Sequence, residues 1–535
     1  MIHSLVDEYL AWMFEESPTL ASFHGADGHD DQMPDLSAAG YARRDAAEDE
    51  WAERFTALRD DELDADERID RDLVLSQLTG SSITRDWRRW QRDPDGYVGA
   101  GLMGVFSLFV RRLLPEPELV RCAIARLEDV PRVLDEGRAN LDPEIASSLL
   151  VNRALGQCRA AVVYSRDLLP AEVVDDAGRA KVAEAGAAAA SAYESFAEFL
   201  TDLATRARGD WALGESRYSR LLQEKELLAD DARSLCARGR AAHAALDQEM
   251  RELCRAHWGN DDWRARLDVV NADRPTTPEA MREGYERCTS DAREFLVEHG
   301  LVTLPEGETC SVEPSPTFQR PVLAVASYFQ PPALRSSLAG RFNVPYPPEG
   351  TSPEELAERL ADNSFPSMPT TSVHEAYPGH HWHFAWMQAN ASTLRRLVTT
   401  AYFVEGWGLY SEVMMREQGF YTDPGQELCH LDARIFRAAR IVADTSLHCG
   451  DMTFDEAVAY MHENTGLTEA TARVEVTRYC TWPTQAASYL TGSLEIERMR
   501  ARWLAENRGG LREFHDRIAG SGALPIALAE RALFA

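Results

Sequence analysis

A cluster of histidines between residues 374 and 383 is the stretch with the clearest chemical content. Four of the chain's 14 histidines lie in His374-Glu-Ala-Tyr-Pro-Gly-His380-His381-Trp-His383, and Glu375 follows the first of them. Imidazole nitrogens and carboxylate oxygens are among the usual protein ligands of zinc. The stretch therefore predicts a metal site and, with it, a metal-dependent hydrolase.

The spacing of these histidines differs from that of HExxH, the best-known zinc motif on helices. In HExxH, two histidines one turn apart face the same metal, and the glutamate activates a water molecule. Here Pro378 stands four positions after His374, and on an unbroken helix the seven residues to His381 span about 10 Å, too far for two ligands of one zinc ion. We therefore expect a helix break at Pro378-Gly379. If two residues are looped out of the helix, His380 takes the position of the second ligand. If three are looped out, His381 takes it.

A third ligand is expected downstream, in the stretch Glu405-Gly-Trp-Gly-Leu-Tyr-Ser-Glu412. The two glutamates are seven positions apart, which places them on one face of a helix. From there Glu405 could bind the metal while Glu412 orients a ligand histidine through a hydrogen bond.

These two stretches resemble the hallmarks of the DUF885 family of bacterial proteins. The resemblance covers most of the chain and is strongest from 370 to 500. More distantly, the family is similar to helical zinc peptidases of the gluzincin type, such as thimet oligopeptidase, peptidyl-dipeptidases and Taq-type carboxypeptidases. Three further stretches agree with the family: Arg440-Ile-Val-Ala-Asp444-Thr-Ser-Leu-His448, Arg478-Tyr479-Cys-Thr-Trp-Pro-Thr-Gln485-Ala-Ala-Ser-Tyr489-Leu-Thr-Gly492 and, more weakly, Leu213-Gly-Glu-Ser-Arg-Tyr218.

The resemblance to gluzincins implies roles for individual residues. In those folds a glycine commonly precedes the second histidine ligand, which here favours His380, after Gly379, over His381. The same resemblance implies Glu405 as the third ligand, Glu375 as the general base and Zn2+ as the cofactor.

Residues further along are candidates for contacting the substrate. Amide hydrolysis requires hydrogen-bond donors for the developing oxyanion, and Tyr479 and Tyr489, ten residues apart on either side of a proline, are candidates. Gluzincins carry a tyrosine or histidine in this role, which favours Tyr489. Arg478 could bind a substrate carboxylate through two parallel hydrogen bonds, or pair with a local glutamate. His381, if it is not a ligand, is expected to contact substrate.

Three polar residues recur every four positions and therefore share one helix face: Arg440, Asp444 and His448. Asp444 could pair with either neighbour. We expect a buried network that braces the metal-binding helix rather than direct participation in the chemistry.

Helical periodicity dominates the chain and predicts a mainly α fold. We expect a largely helical part over 1–300, a proline-rich segment of strands and loops over 301–370, and a helical part over 371–535 that carries the metal site. The run from Pro321 to Phe329 is the best strand candidate. This run predicts a short β-sheet element before the metal-binding helix. No linker or repeat is visible, so a single domain over 1–535 is expected. The resemblance implies a large metallopeptidase-like body with a central cleft.

Charge and cysteine content restrict partners and location. The net charge of -31 argues against a nucleic-acid partner, because such binding requires basic side chains that neutralise phosphates. Nine cysteines form no CxxC pair and no visible disulfide framework, which favours a reducing compartment. The first 16 residues lack the pattern of a signal peptide, and no run of 18 or more apolar residues predicts a membrane span. We therefore expect a cytoplasmic protein without a membrane partner.

Together these observations predict a zinc-dependent hydrolase that uses a metal-activated water to cleave an amide or peptide bond of a small peptide-like substrate. The alternative is a non-catalytic helical scaffold, metal-bound or metal-free, that binds a peptide or metabolite. A scaffold would bind its ligand equally well after Glu375→Gln. A biosynthetic enzyme using the same metal on another bond is a third possibility, which the residues do not separate from the first.

Overall fold

Short polar side chains and glycines set the limits of many helices. Asp64, Asp231 and Thr453 each accept a hydrogen bond from the backbone amide three residues on, and the side chain at that position bonds back to the cap. Gly259 and Gly450 end their helices in the left-handed conformation that glycine adopts readily. The structure is a computed structural model, and it describes residues 2–317, 319–320, 325–348 and 350–535.

The described chain divides into two compact units. The first unit comprises the described residues within 1–211, 316–322 and 332–335. Its helices are α1 (Ile2–Glu16), α2 (Pro18–His24), α3 (Ala38–Thr56), α4 (Ala65–Arg85), α5 (Arg89–Arg92), α6 (Asp95–Arg111), α7 (Glu116–Asn140), α8 (Ser148–Val163), α9 (Leu169–Ala171) and α10 (Asp176–Arg206).

The second unit comprises the described residues within 212–315, 323–331 and 336–535, and it contains all the candidate site residues. Its strands are β1 (Thr309–Pro314), β2 (Ser327–Phe329) and β3 (Ala339–Val344). Its helices are α11 (Glu215–Arg220), α12 (Ala232–Trp258), α13 (Trp263–Asn271), α14 (Pro278–His299), α15 (Pro353–Ala361), α16 (Met368–Glu375), α17 (His380–Asn390), α18 (Thr393–Leu397), α19 (Ala401–Glu417), α20 (Pro424–Cys449), α21 (Phe454–Asn464), α22 (Glu469–Thr481), α23 (Ser488–Ala505), α24 (Leu511–Gly520) and α25 (Ile526–Phe534).

A three-stranded sheet precedes the helices of the candidate site. Its order is β1-β3-β2, with β1 parallel and β2 antiparallel to the central strand. Phe342 and Val344 of β3 are fully buried and pack with Tyr285 of α14 and Met368 of α16. This apolar cluster fixes the start of α16 against the sheet.

Helix α19 is held against α23 by direct backbone contact. A Cβ atom on Gly492 would lie 1.8 Å from the carbonyl oxygen of Tyr402, and one on Gly406 would lie 2.6 Å from the Cα of Gly492. No other residue type fits at this crossing. The contact sets the position of α19, which carries two of the candidate site glutamates.

The structure confirms a mainly helical fold with a small sheet. The strand predicted from Pro321 to Phe329 falls partly on residues 321–324, which lie outside the described residues; its last three residues form β2. The proline-rich segment 301–370 also contains α15, because Pro353 occupies the first turn of that helix, where a missing amide proton is tolerated.

Candidate metal centre

The histidine stretch is broken where the sequence predicts a break. Helix α16 ends at Glu375 and α17 begins at His380. A Cβ atom on Gly379 would lie 1.9 Å from the carbonyl oxygen of His374, so the chain folds back onto the end of α16 in a way that only glycine permits. As a result, the ring centroids of His374 and His380 are 4.7 Å apart.

Glu405 on α19 completes a group of three potential ligands. Its Oε2 atom lies 3.6 Å from Nε2 of His374 and 3.5 Å from Nε2 of His380, and one ligand atom of each residue lies within 4.8 Å of the others. Two ligands of one tetrahedral zinc ion stand about 3.3–3.6 Å apart, so the donor types and spacings fit zinc. In the part of the chain that the structure describes, no other three such side chains come this close.

The charges around the three side chains also favour a cation. Burial lowers the pKa of His374, but hydrogen bonds with Glu405 and Glu412 outweigh this and raise it to about 10. Burial raises the pKa of Glu405, yet hydrogen bonds with His374 and His380 bring it below its usual value. The site therefore concentrates negative charge that a proton or a divalent cation can neutralise.

Glu412 fixes the orientation of the His374 ring through its Nδ1 atom. Its Oε1 lies 2.8 Å from Nδ1 of His374, and its Oε2 accepts a hydrogen bond from the Thr370 hydroxyl at 3.1 Å and lies 3.4 Å from Nδ1 of His430. All four side chains are buried. A carboxylate on Nδ1 leaves Nε2 as the ring nitrogen available to a metal, which is the usual arrangement of a ligand histidine.

The glycines of the Glu405-Gly-Trp-Gly stretch explain how α19 reaches this position. A Cβ atom on Gly408 would lie 2.6 Å from Cε1 and 2.8 Å from Nε2 of His374. The imidazole therefore packs directly on the backbone of α19, and any side chain at this position would displace it.

Glu375 lies beside the three potential ligands. Its side chain is half-buried, and it forms no hydrogen bond with any described residue. Burial raises its pKa, the imidazoles of His380 and His374 lower it, and the carboxylate of Glu405 raises it. An unbonded carboxylate with a raised pKa is suited to accept and return a proton.

His381 is not brought to this group. Its ring is fully buried, with Nε2 2.8 Å from Oε2 of Glu308 and Nδ1 3.0 Å from the hydroxyl of Tyr328. Glu308 also accepts hydrogen bonds from the Tyr377 hydroxyl and from Arg293. Burial raises the pKa of Glu308, but these partners outweigh it and lower the pKa to about 2. Both nitrogens of His381 are thus occupied within the protein.

The two candidate tyrosines differ in the state of their hydroxyl groups. Tyr479 is buried, donates to Oε2 of Glu475 at 2.8 Å and accepts from Nε of Arg440 at 3.2 Å. Tyr489 is half-buried and accepts a long hydrogen bond of 3.4 Å from Gln485. Burial raises the pKa of Tyr489, and the nearby carboxylate of Glu405 raises it further, so its hydroxyl stays protonated. Tyr489 is therefore the better placed donor for an oxyanion.

Arg478 and Arg440 share one carboxylate. Nη2 of Arg478 lies 3.0 Å and Nη2 of Arg440 lies 2.8 Å from Oε2 of Glu475. Arg478 also donates to Oε1 of Gln485 at 2.7 Å. The structure thus gives Arg478 a local glutamate as partner.

Asp444 and His448 bond to other elements rather than to Arg440. Asp444 accepts hydrogen bonds from the Tyr218 hydroxyl and, at 3.1 Å, from the amide of Thr484, where the backbone has a φ of 71°. Its second oxygen lies 3.7 Å from Nε2 of His448. His448 accepts from the amide of Leu213 at 3.2 Å and donates to the carbonyl of Tyr479 at 3.1 Å. These bonds hold the strained turn between α22 and α23.

Three residues near the site were missed by sequence reasoning: Glu308, His430 and Arg437. Each stands outside the motifs, and Glu308 lies more than 60 residues before the histidine it contacts. Arg437 alone had a usable signal, since it lies one turn before Arg440 on α20.

A helical protein with a group of two buried histidines and a half-buried glutamate is thus the class that the fold and site define. The sequence profile described as "Bacterial protein of unknown function (DUF885)" matches residues 18–533. The chain belongs to the DUF885 family, as its motifs predicted. No curated protein matches it.

Solved structures with the same fold exist. One is described as a "putative lipoprotein of unknown function" from Shewanella oneidensis, with 21% identity, a TM-score of 0.82 and coverage of 100% of both chains. Another is described as the "putative lipoprotein" from Colwellia psychrerythraea, with 20% identity, a TM-score of 0.81, and coverage of 100% of this chain and 98% of that one.

These descriptions contradict the predicted location. Lipoproteins are held at a membrane by an attached lipid, so the prediction of a cytoplasmic protein is wrong. It relied in part on the absence of a disulfide framework, but a chain with a core of this size needs no disulfides in any compartment. No helix among the described residues is long and apolar enough to cross a bilayer.

Proposed function

We propose that this protein is a zinc-dependent hydrolase that cleaves an amide or peptide bond of a small peptide-like substrate. The observation that carries the proposal is the convergence of His374, His380 and Glu405, with the unbonded carboxylate of Glu375 beside them. In this proposal the three side chains hold the ion and Glu375 is the general base.

When bound, the zinc ion supplies Lewis acidity that makes a water molecule more acidic and a carbonyl more electrophilic. Glu375 takes the proton of the attacking water and returns it to the leaving amine. Its raised pKa suits both directions of transfer. Glu412 keeps His374 in the tautomer that presents Nε2.

Tyr489 is proposed to donate a hydrogen bond to the oxyanion of the tetrahedral intermediate. Its protonated hydroxyl near Glu405 supports this role, whereas the hydroxyl of Tyr479 already donates to Glu475. Gln485 donates to the Tyr489 hydroxyl, and the guanidinium of Arg440 lies over the Tyr489 ring.

The proposal includes a metallopeptidase-like helical body with a central cleft that admits short peptides or small amides. The break between α16 and α17, which carry the first two proposed ligands, and the third proposed ligand on α19 support this likeness to gluzincins.

The test is the metal content of the purified protein after incubation with zinc, measured by elemental mass spectrometry. We expect about one zinc ion per chain in the wild type and its loss in His374→Ala and His380→Ala. His381→Ala is the matched control and should keep the ion, because both its nitrogens bond within the protein. A wild type without zinc would refute the metal site.

A second measurement separates the hydrolase from a scaffold. Glu375→Gln should keep its zinc and lose turnover of a peptide library by about 100- to 10,000-fold, as expected for loss of a general base. Full turnover in this variant would refute the role of Glu375. Peptide binding without turnover by the wild type would favour the scaffold.

A further inference from the structure

Two arginines, Arg437 and Arg440, lie against the ring of Tyr489, and a third, Arg478, lies against the neighbouring ring of Tyr479. Arg440 and Arg478 both form ion pairs with Glu475, and the Cζ of Arg440 lies 4.8 Å from the Tyr489 ring centroid. Each of these two guanidinium groups therefore has a carboxylate partner within the protein, although they share a single negative charge.

Arg437 is different. Its Nη1 donates to the carbonyl of Ala433 in its own helix at 3.2 Å, and its buried Nε has no acceptor. None of the described carboxylates forms an ion pair with it, although the side chain is half-buried. A guanidinium withdrawn from water without a counter-ion is unfavourable, so an anion from outside the protein would stabilise it.

Arg437 lies beside the candidate centre. Its Cζ is 5.8 Å from the ring centroid of Tyr489, the proposed oxyanion donor. The guanidinium is therefore close enough to contact the same bound molecule.

One acidic side chain competes for Arg437. Asp432 is on the same helix and responds to its charge, but the two do not come within ion-pair distance. Burial raises the pKa of Asp432 to about 6, and its Oδ1 has no hydrogen-bond partner. The carboxylate of Asp432 thus lowers the positive potential around Arg437 but forms no ion pair with its guanidinium.

We propose that Arg437 binds a carboxylate of the substrate and so selects peptide-like substrates that carry a free carboxylate near the cleaved bond. This inference rests on the proposed function and names its substrate class. The planar fork of arginine matches a carboxylate through two parallel hydrogen bonds. The carboxylate is either the C-terminus of a peptide or an acidic side chain.

The protein has a net charge of -31, so retention of an acidic ligand is a specific signal of a local cation. The overall field of the protein repels anions, so a preference for an acidic ligand requires a local cation. The test is equilibrium dialysis of the zinc-incubated full chain against three pools of N-acetylated tripeptides, with mass spectrometry of the retained peptides. The protein carries Glu375→Gln to prevent turnover.

One pool has a free C-terminus and neutral side chains, the second is its amidated counterpart, and the third is amidated with glutamate at the last position. We expect one acidic pool to be retained about 10- to 100-fold better than the neutral pool. Preference for the first pool identifies the C-terminus, and preference for the third identifies a side chain.

Arg437→Gln should abolish the preference, and Arg437→Lys, which keeps the charge but not the fork, should keep part of it. The matched control is Arg473→Gln, an exposed arginine of α22 paired with Asp455, which should keep it fully. Equal retention of all pools, retention of none, or an undiminished preference in both Arg437 variants would overturn the inference.

Turnover of the same pools by the protein with Glu375 intact separates this inference from the proposed function. Hydrolysis at equal rates for acidic and neutral pools would overturn the role of Arg437 alone. An acid preference in dialysis without any hydrolysis would overturn the hydrolase alone, because the dialysis readout does not depend on catalysis.

Discussion

A single methyl group at Gly408 should remove the metal while leaving the fold in place. The Cβ of Gly408→Ala would lie 2.6 Å from Cε1, 2.8 Å from Nε2 and 2.9 Å from Nδ1 of His374. Carbon atoms in contact prefer about 3.5–4.0 Å, so the imidazole must move by about 1 Å. Metal–ligand distances tolerate shifts of only about 0.2 Å.

Changing a residue that only orients a metal ligand typically lowers metal affinity by about 10- to 100-fold. Because Gly408→Ala displaces the ligand itself, we expect the zinc affinity to fall by about 100-fold or more. The fold should survive, since overpacking costs about 1–3 kcal/mol and replacing a helical glycine by alanine returns up to about 1 kcal/mol.

Zinc affinity is measured by competition with a chromophoric chelator, and the free energy of unfolding by urea denaturation. The matched control is Gly156→Ala in α8, where a Cβ atom would meet nothing within 4 Å. This control should bind zinc as the wild type does. Wild-type zinc affinity in a folded Gly408→Ala protein would refute the assignment of His374 as a ligand.

Other substitutions test the parts around the metal. Tyr489→Phe should lower kcat by about 100-fold without loss of zinc, as removal of an oxyanion donor does. Tyr479→Phe should lower the free energy of unfolding more than it lowers kcat. Steady-state kinetics on a cleaved peptide distinguishes the two variants. Gly379→Ala should destabilise the fold by more than about 2 kcal/mol in urea denaturation, because the carbonyl oxygen 1.9 Å away belongs to the backbone of His374 and cannot rotate aside. Burial raises the pKa of Asp444 from 3.8 to about 7, so its contribution to stability is fully present below pH 3.8 and is lost as the pH rises through 7. Asn cannot ionise, so Asp444→Asn should remove this loss. The free energy of unfolding of the variant minus that of the wild type should increase between pH 4 and 8 by on the order of 4 kcal/mol.

Each of these tests has an outcome against it. Equal kcat values for the two tyrosine variants would contradict the separate roles of their hydroxyls. A Gly379→Ala protein as stable as the wild type would mean that the two helices are joined differently. A difference between Asp444→Asn and the wild type that does not change with pH would show that Asp444 is ionised throughout.

Much of the candidate site can be predicted from the sequence because its signals are local. The types and order of His374, Glu375, His380 and Glu405 are those of zinc chemistry, and a proline followed by glycine predicts a break in any helix. Helical periodicity likewise predicts helices without knowledge of their partners. The family and the mainly helical fold therefore follow from these local signals alone.

The tertiary structure decided what depends on elements far apart in the chain. The sequence left His380 and His381 open as ligands by spacing alone; the structure brings only His380 to the other two and ties His381 to Glu308 and Tyr328. The isolation of Arg437 is likewise visible only once its neighbours are placed. Local spacing fixes which way a side chain leaves its helix, but the partners it meets are set by how separate helices and strands pack together, and no short stretch of sequence records that packing.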